Sequence, residues 1–177
     1  METRVACAAR EVVIGDGRPT VLIGERINPT GRKNMAAALQ AGDFEPIRKE
    51  AVAQVQAGAD ILDINVGMPG LDEVALLPQA VLAVMEVVDV PLCLDSCEPK
   101  ALEAALKVYR GRPLINSVSG EEGSLERVLP LVKEYSAVVI GLTMDDEGIS
   151  NDTDRRVAIA HKIVERACAL GIPNEDV

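Results

Sequence analysis

Short apolar, β-branched runs recur along the chain at Val21 to Gly24, Asp60 to Val66, Pro91 to Leu94, Leu114 to Val118 and Ala137 to Leu142. Runs of this kind, bounded by charge or glycine, predict buried strands. The stretches between them carry apolar residues three and four apart, as in Ile47, Ala51 and Val55 and again in Leu125, Val128, Leu129 and Val132. That is the period of a helix burying one face. Strand and helix therefore alternate. Strands apolar on both faces belong to a parallel sheet covered by helices, so the fold class is α/β. Helix punctuation agrees: Ser124 precedes Leu125, Asp152 and Thr153 precede Arg155 to Leu170, and Gly58 and Gly171 mark helix ends. Ahead of the first unit, Glu11 to Ile14 and Thr20 to Ile23 flank Gly15-Asp16-Gly17-Arg18-Pro19 and predict an N-terminal hairpin, with residues 1–20 as lead-in. Residues 1–177 read as part of a single domain, with no linker or low-complexity tract.

Polar residues fall in a pattern of their own. The apolar strands end in Glu25 and Asn28, in Asp63 and Asn65, in Asp95, in Asn116, and in Thr143 with Asp145, always on the C-terminal side. In parallel α/β proteins that rim carries the ligand. A nucleotide-binding sheet would place a glycine-rich phosphate loop after its first strand, and Gly24-Glu25-Arg26-Ile27-Asn28-Pro29-Thr30-Gly31 is no such loop. Carboxylates and amides suit a ligand rich in N–H donors. Asp63 and Asn65 are two apart and share one side of their strand. Asp95 and Asn116 end neighbouring strands, about 4.8 Å apart laterally. The alternative role for all of these residues is to cap helices or satisfy nearby backbone, and Ser96 and Ser117 suit the capping task better.

Composition narrows the class. The 177 residues are 48% hydrophobic and 26% charged, with mean hydropathy +0.15, enough to bury a core and too apolar for disorder. No apolar run approaches the ~20 residues of a membrane span. Met1-Glu2-Thr3-Arg4 opens no secretory signal, so a cytoplasmic location is expected. The net charge of −10 and only 2% aromatics, with no basic cluster, exclude a nucleic-acid surface. The four cysteines, Cys7, Cys93, Cys97 and Cys168, are expected as thiols. Cys93 and Cys97 cannot share a zinc ion from one strand, because positions four apart lie ~13 Å away from each other and two ligand sulfurs at most ~4.6 Å. With His161 the only histidine, no directly bound metal is expected.

Five ordered segments carry a resemblance over essentially the whole chain: Ile23 to Gly31 (IGERINPTG), Gly58 to Gly67 (GADILDINVG), Pro91 to Ser96 (PLCLDS), Leu114 to Ser117 (LINS) and Ile140 to Met144 (IGLTM). They resemble the pterin-binding methyltransferases, the methyltetrahydrofolate:corrinoid/cobalamin methyltransferases that include the folate domain of cobalamin-dependent methionine synthase. The resemblance implies a TIM (β/α)8 barrel of the dihydropteroate-synthase-like type. It implies methyl transfer between N5 of methyltetrahydrofolate and the cobalt of a corrinoid held by a partner protein, by an enzyme that is typically a homodimer. It puts Asp95 and Asn116 on the pterin ring edge. Asp63, Asn65, Glu25 and Asn28 are further candidates for the pterin pocket. Arg26, Arg32 and Lys33 are candidates for the glutamate tail of folate or the corrinoid partner, with a solvated loop as the alternative.

The chain departs from this pattern at its end. A complete barrel of this kind takes about 250 residues, and Gly171 to Val177 falls where a sixth strand would begin, after about five βα units. The resemblance implies a further pterin-clamping Asp on strand six and an N5-contacting Asn on strand seven, both beyond Val177, so the catalytic group is not assigned and the 177 residues alone are expected to be inactive. Two other readings stay open. Dihydropteroate synthase calls for an Asn-x-Thr-Pro-Asp-Ser-Phe type first loop, which Asn28-Pro29-Thr30-Gly31-Arg32 does not match. The other is a non-catalytic pterin-binding module.

Overall fold

The computed structural model describes all 177 residues, Met1 to Val177. Two antiparallel strands, β1 (Glu2–Cys7) and β2 (Glu11–Gly15), lead into β3 (Ile23–Ile27), α1 (Lys33–Gln40) and α2 (Glu45–Gln56). Then follow β4 (Ile61–Asn65), α3 (Glu73–Met85), β5 (Leu92–Asp95), α4 (Pro99–Val108), the two-residue β6 (Gly111–Arg112), β7 (Leu114–Ser119) and α5 (Glu122–Glu134). The chain continues through β8 (Val138–Leu142), the small hairpin β9 (Met144–Asp145) and β10 (Gly148–Ile149), and α6 (Thr153–Ala169), ending in a 3₁₀ turn at Asn174–Asp176.

The main sheet is parallel in the order β3-β4-β5-β7-β8, with each βα unit's strand beside the last. Its outer face carries Leu62, Ile64, Leu92, Leu94, Ile115 and Val139, which pack with the buried residues of all six helices in one core. The opposite face has its own small cluster of Ile61, Cys93, Leu114 and Val138 packed with Val5 and Val12 of the N-terminal hairpin. Helices on one face only, with strands in chain order, make a barrel wall and not a doubly wound sheet. The hairpin plugs the N-terminal end of the inner face, leaving the C-terminal ends of the strands as the mouth. β3 and β8 form the two outer strands of the sheet.

The five predicted strands are present, and the N-terminal hairpin differs. Residues 11–15 pair with Glu2–Cys7 and not with 20–23, because Val21 and Ile23 are drawn into the barrel wall, where Ile23 pairs with Ile61. The fold also adds α1, eight residues that bury only Met35 and Leu39, and β6, β9 and β10, two-residue strands too short to show a period. Asp152 caps α6 as expected, accepting from Asp154 N–H at 2.9 Å. Ser124 does not cap α5: that helix starts earlier, with Glu121 at its N-cap, and Ser124 Oγ accepts from Ser119 N–H at 3.0 Å. Gly58 and Gly171 follow α2 and α6 with φ of 103° and 78°, the left-handed turn that ends a helix.

Candidate functional site

Strand register places the polar residues. On the inner face Asn65 is level with Asp95, and Asp95 is level with Asn116, so three strands contribute one polar row at the mouth. One step deeper, Asp63 lies level with Cys93, and Cys93 with Leu114. Alternation explains which residues face inward: each strand presents every second residue, β5 and β7 turn polar at Asp95 and Asn116, and β4 already at Asp63, one step below.

Hydrogen bonds tie the row together. Asn65 Nδ2 donates to Asp95 Oδ2 at 2.8 Å, while Asn65 Oδ1 accepts from Gly67 N–H at 2.8 Å. Asn116 Nδ2 donates down to Asp63 Oδ2 at 3.1 Å. Ser96 Oγ donates to Glu73 Oε2 at 2.6 Å and accepts from Glu98 N–H at 3.1 Å. Helix capping is not the business of Asp95 or Asn116: α4 is capped by Glu98, which accepts from Lys100 N–H, and α5 starts after Glu121. Both side chains remain half-buried and face the mouth.

Burial sets the electrostatics. It pushes the Asp95 carboxyl up to about 6, with the Asp63 and Glu73 charges adding to the effect and the Asn65 hydrogen bond opposing it. Burial also raises Asp63, against hydrogen bonds from Cys93 and Asn116, and the Glu25 charge adds to the rise. The Cys93 thiol is pushed well above its usual range by burial first and then by the Asp63 charge. Asp95 is therefore an acceptor that ionises close to neutral pH, held among polar partners.

Two depressions meet at the rim. One, about 420 Å³, is lined by Asp95, Ser96, Asn116, Ser117, Ser124 and Arg127 among others. The second, about 480 Å³, lies over Thr30, Asn65, Gly67, Glu73 and Ser96. Ser96 and Cys97 line both. These volumes are of small-molecule size.

The first rim loop is organised differently from a simple ligand clamp. Arg26 Nε and Arg32 Nη2 both donate to Glu50, at 2.8 and 2.5 Å, and Arg32 also donates to the Arg26 carbonyl. Asn28 Oδ1 accepts from Thr30 N–H at 2.9 Å and shapes its own turn. Glu25 is exposed at the mouth, and Lys33 is exposed at the start of α1. Thr143 and Asp145 are engaged by Arg156 and Arg155. Of the remaining chemistry-bearing residues, Cys97 and His161 are exposed, on separate elements.

Sequence reading did not single out Glu73 or Glu50. Glu73 looks like an ordinary acidic first-turn residue of α3, and only folding shows it bonded to Ser96. Glu50 carried a signal, since it lies four residues before Gln54, which is buried on the inward side of α2. Polar residues along a buried helix edge imply buried partners.

Residues 24–177 match the model of a protein family described as pterin binding enzyme. The chain is 33% identical over 152 residues to methylcorrinoid:tetrahydrofolate methyltransferase of Eubacterium limosum, covering 83% of this chain and 55% of that protein. It is 34% identical over 149 residues to methionine synthase of Mycobacterium tuberculosis, covering 81% of this chain and 12% of that one. It thus spans about half the length of the first relative and a small part of the second. In fold it matches dihydropteroate synthase of Xanthomonas albilineans in complex with 7,8-dihydropteroate, with TM-score 0.67 and 22% identity over 98% of this chain and 62% of that one. Dihydropteroate synthase of Thermus thermophilus matches at TM-score 0.65 and 23% identity, over 96% of this chain and 62% of the other. At such identity these two speak for the architecture alone, an α/β wall of five βα units of the TIM-barrel type. The ordered motifs, the family match and the relatives agree: the chain belongs to the pterin-binding enzyme family.

Proposed function

We propose that this chain grips the pterin of methyltetrahydrofolate for methyl transfer between its N5 and the cobalt of a corrinoid carried by a partner protein. The observation that carries the reading is the side-by-side placement of Asp95 and Asn116 on adjacent strands at the mouth of a barrel wall. A pterin edge presents neighbouring N–H donors, and a carboxylate oxygen beside an amide oxygen matches such an edge. The acceptor-rich row fits this ligand. The names of the two curated relatives supply the reaction class, and the first loop, lacking the dihydropteroate synthase pattern, argues against that enzyme.

In this reading a corrinoid carried by the partner would supply the cobalt as donor or acceptor of the methyl group, and no residue of this chain would ligate it. The chain's own residues bind and orient. Asp95 and Asn116 hold the ring edge, Asn65 fixes the Asp95 carboxylate, and Glu25 with the Asn28 turn borders the pocket. Fixed orientation lowers the barrier by removing the entropy of alignment. No nucleotide or nucleic acid takes part, and the working protein is a homodimer.

Calorimetry with methyltetrahydrofolate tests the site. In the complete protein, Asp95→Ala is expected to weaken binding by about 1–3 kcal/mol, roughly ten- to a hundredfold, by leaving a ring donor unpaired. Unchanged affinity removes Asp95 from the site. Methyl transfer to a Co(I) corrinoid protein, assayed with the complete barrel protein beside dihydropteroate formation from 4-aminobenzoate, separates the methyltransferase from the synthase, and binding with neither activity in that protein marks a non-catalytic module.

A further inference from the structure

Asp63 lies on β4 and its carboxyl reaches Asn116 on β7, although β5 runs between those two strands. To make that bond the carboxyl must cross the inner face of β5. On β5 the flanking inward residues are Cys93, level with Asp63, and Asp95, two residues further on. The Asp63 carboxyl therefore lies against the underside of Asp95. It is 6% exposed, too deep to meet a ligand seated on the mouth row.

We propose that Asp63 is a positioning residue for the pterin site: it turns the Asn116 amide so that its oxygen faces the mouth, and its own charge, buried beside Asp95, opposes ionisation of that carboxyl. This rests on the pterin reading above for its ligand, and on the side-chain geometry alone for its mechanism. With Asn116 Nδ2 engaged by Asp63, and Asn65 Nδ2 engaged by Asp95, the atoms left facing the mouth are acceptors, Asn116 Oδ1 and an Asp95 oxygen. Two acceptors side by side select a ligand edge that presents two donors, and reject one that presents an acceptor there.

The proton count follows from the same arrangement. Two carboxyls in contact in a buried place do not ionise independently, because the second charge must form beside the first. The other titratable groups around the pair are Glu25 from β3, Glu73 from α3 and the Cys93 thiol from β5, and none of these can bring a positive charge. Glu121 and Arg127 stand further out, in the wall of the depression that Asp95 lines. Ligand donors reward the charged form of Asp95, so binding draws its proton off, and Asp63 sets how readily it leaves.

The experiment has two arms. In the ligand-free protein, ¹³C-carboxyl NMR of labelled aspartate is expected to show Asp95 titrating near 6, raised chiefly by its burial, and Asp63→Asn is expected to lower that midpoint by the part the Asp63 charge adds, with burial still holding it above the ordinary value near 4. An Asp95 midpoint unchanged by Asp63→Asn overturns the proposal. Should Asp63→Asn fail to fold, the wild-type curves decide: a two-step, mutually dependent titration of Asp63 and Asp95 supports the link, and two independent single-step curves overturn it. In the second arm methyltetrahydrofolate binding is followed from pH 5 to 8. Asp63→Asn, which still accepts from Asn116, is expected to keep affinity at pH 7.5 within about threefold and to move the pH midpoint of binding down. Asp63→Ala is expected to lose roughly tenfold at pH 7.5, because the Asn116 amide is free to turn. Wild-type affinity and pH dependence in both variants overturns the positioning role. A complete wild-type protein that binds no methyltetrahydrofolate defeats the pterin reading and not this one, which the NMR arm still decides.

Discussion

Asn65 donates from Nδ2 to Asp95 Oδ2 across neighbouring strands, while its own oxygen is pinned by Gly67 N–H. The amide can face only one way, so the carboxylate beside it is fixed in position before any ligand arrives. This bond also favours the charged form of Asp95. Asn65→Ala is expected to weaken methyltetrahydrofolate binding three- to tenfold at pH 7.5 and to raise the pH midpoint of binding above that of the wild type. Isothermal titration at several pH values checks both; loss of affinity with an unmoved midpoint would show that Asn65 touches the ligand directly.

The raised Asp95 value carries its own pH signature. A ligand donor needs the ionised carboxylate, so affinity is expected to climb as pH rises through about 6 and to level off above it. Stability runs the other way. The folded state holds the Asp95 proton up to about 6 whereas an unfolded chain releases it near 4, so the folded protein binds more protons in that window. The stabilisation is fully present below pH 4 and lost as pH rises through about 6. Asp63, also raised, acts in the same direction. Thermal melts of Asp95→Asn are expected to show a flatter dependence on pH between 4 and 6.5 than the wild type.

Glu50 shows the opposite sign. Burial acts to raise its carboxyl, but the Arg32 and Arg26 guanidinium groups outweigh it and hold the group below the usual range. Its contribution is present above the unfolded carboxylate value and lost as pH falls through the depressed one. Glu50→Ala is expected to cost about 1–2 kcal/mol, since hydrogen bonds to charged groups are lost but Arg26 stays largely in water. Hydrogen exchange over residues 26–33 is expected to rise. Unchanged exchange there would mean that the Asn28 turn, and not the ion pairs, holds the first rim loop.

Sequence and structure agree best where period decides. The five strands follow from unbroken apolar runs, the helices from apolar residues three and four apart, and the polar rim from the polar residues that end those runs, and the barrel wall shows each in its place. Agreement is poorer where long-range competition decides. The 11–14 segment pairs with Glu2–Cys7 because the rival partner around Val21 gains more by joining the sheet beside Ile61. Asp63 and Asn65 share a strand face as alternation requires, but only the register with β5 shows that one lies at the mouth and the other beneath it. Arg26 and Arg32 read as available for an anionic ligand because their partner, Glu50, is on α2, with all of α1 between them in the chain. Side-chain pairing between distant segments leaves no local signature.

The N-terminal hairpin supplies the last prediction, through Gly111. Gly111 has φ of 141°, a backbone conformation that side chains rarely adopt, and it pairs with Cys7 of β1. A Cβ placed there would come within 2.2 Å of the Ala6 carbonyl oxygen and 2.8 Å of Cys7 Cα, both of them backbone that cannot swing aside. The same Ala6 carbonyl accepts from the Tyr109 hydroxyl at 2.9 Å, and that hydroxyl in turn accepts from Leu92 N–H, so the hairpin is tied to β5 through this spot. Forcing the strands apart would loosen Val5 and Val12 from Ile61, Cys93, Leu114 and Val138. Gly111→Ala is expected to cost on the order of 1–3 kcal/mol from backbone strain and lost contact. For a chain of this size that corresponds to a fall in Tm of roughly 3–10 °C. Amides of residues 2–15 are expected to exchange faster, while methyltetrahydrofolate affinity changes less than threefold, because the hairpin closes the end of the inner face away from the Asp95 row. Retained protection of those amides in Gly111→Ala would show that the hairpin is held by its apolar contacts alone and that the close approach at Gly111 contributes nothing.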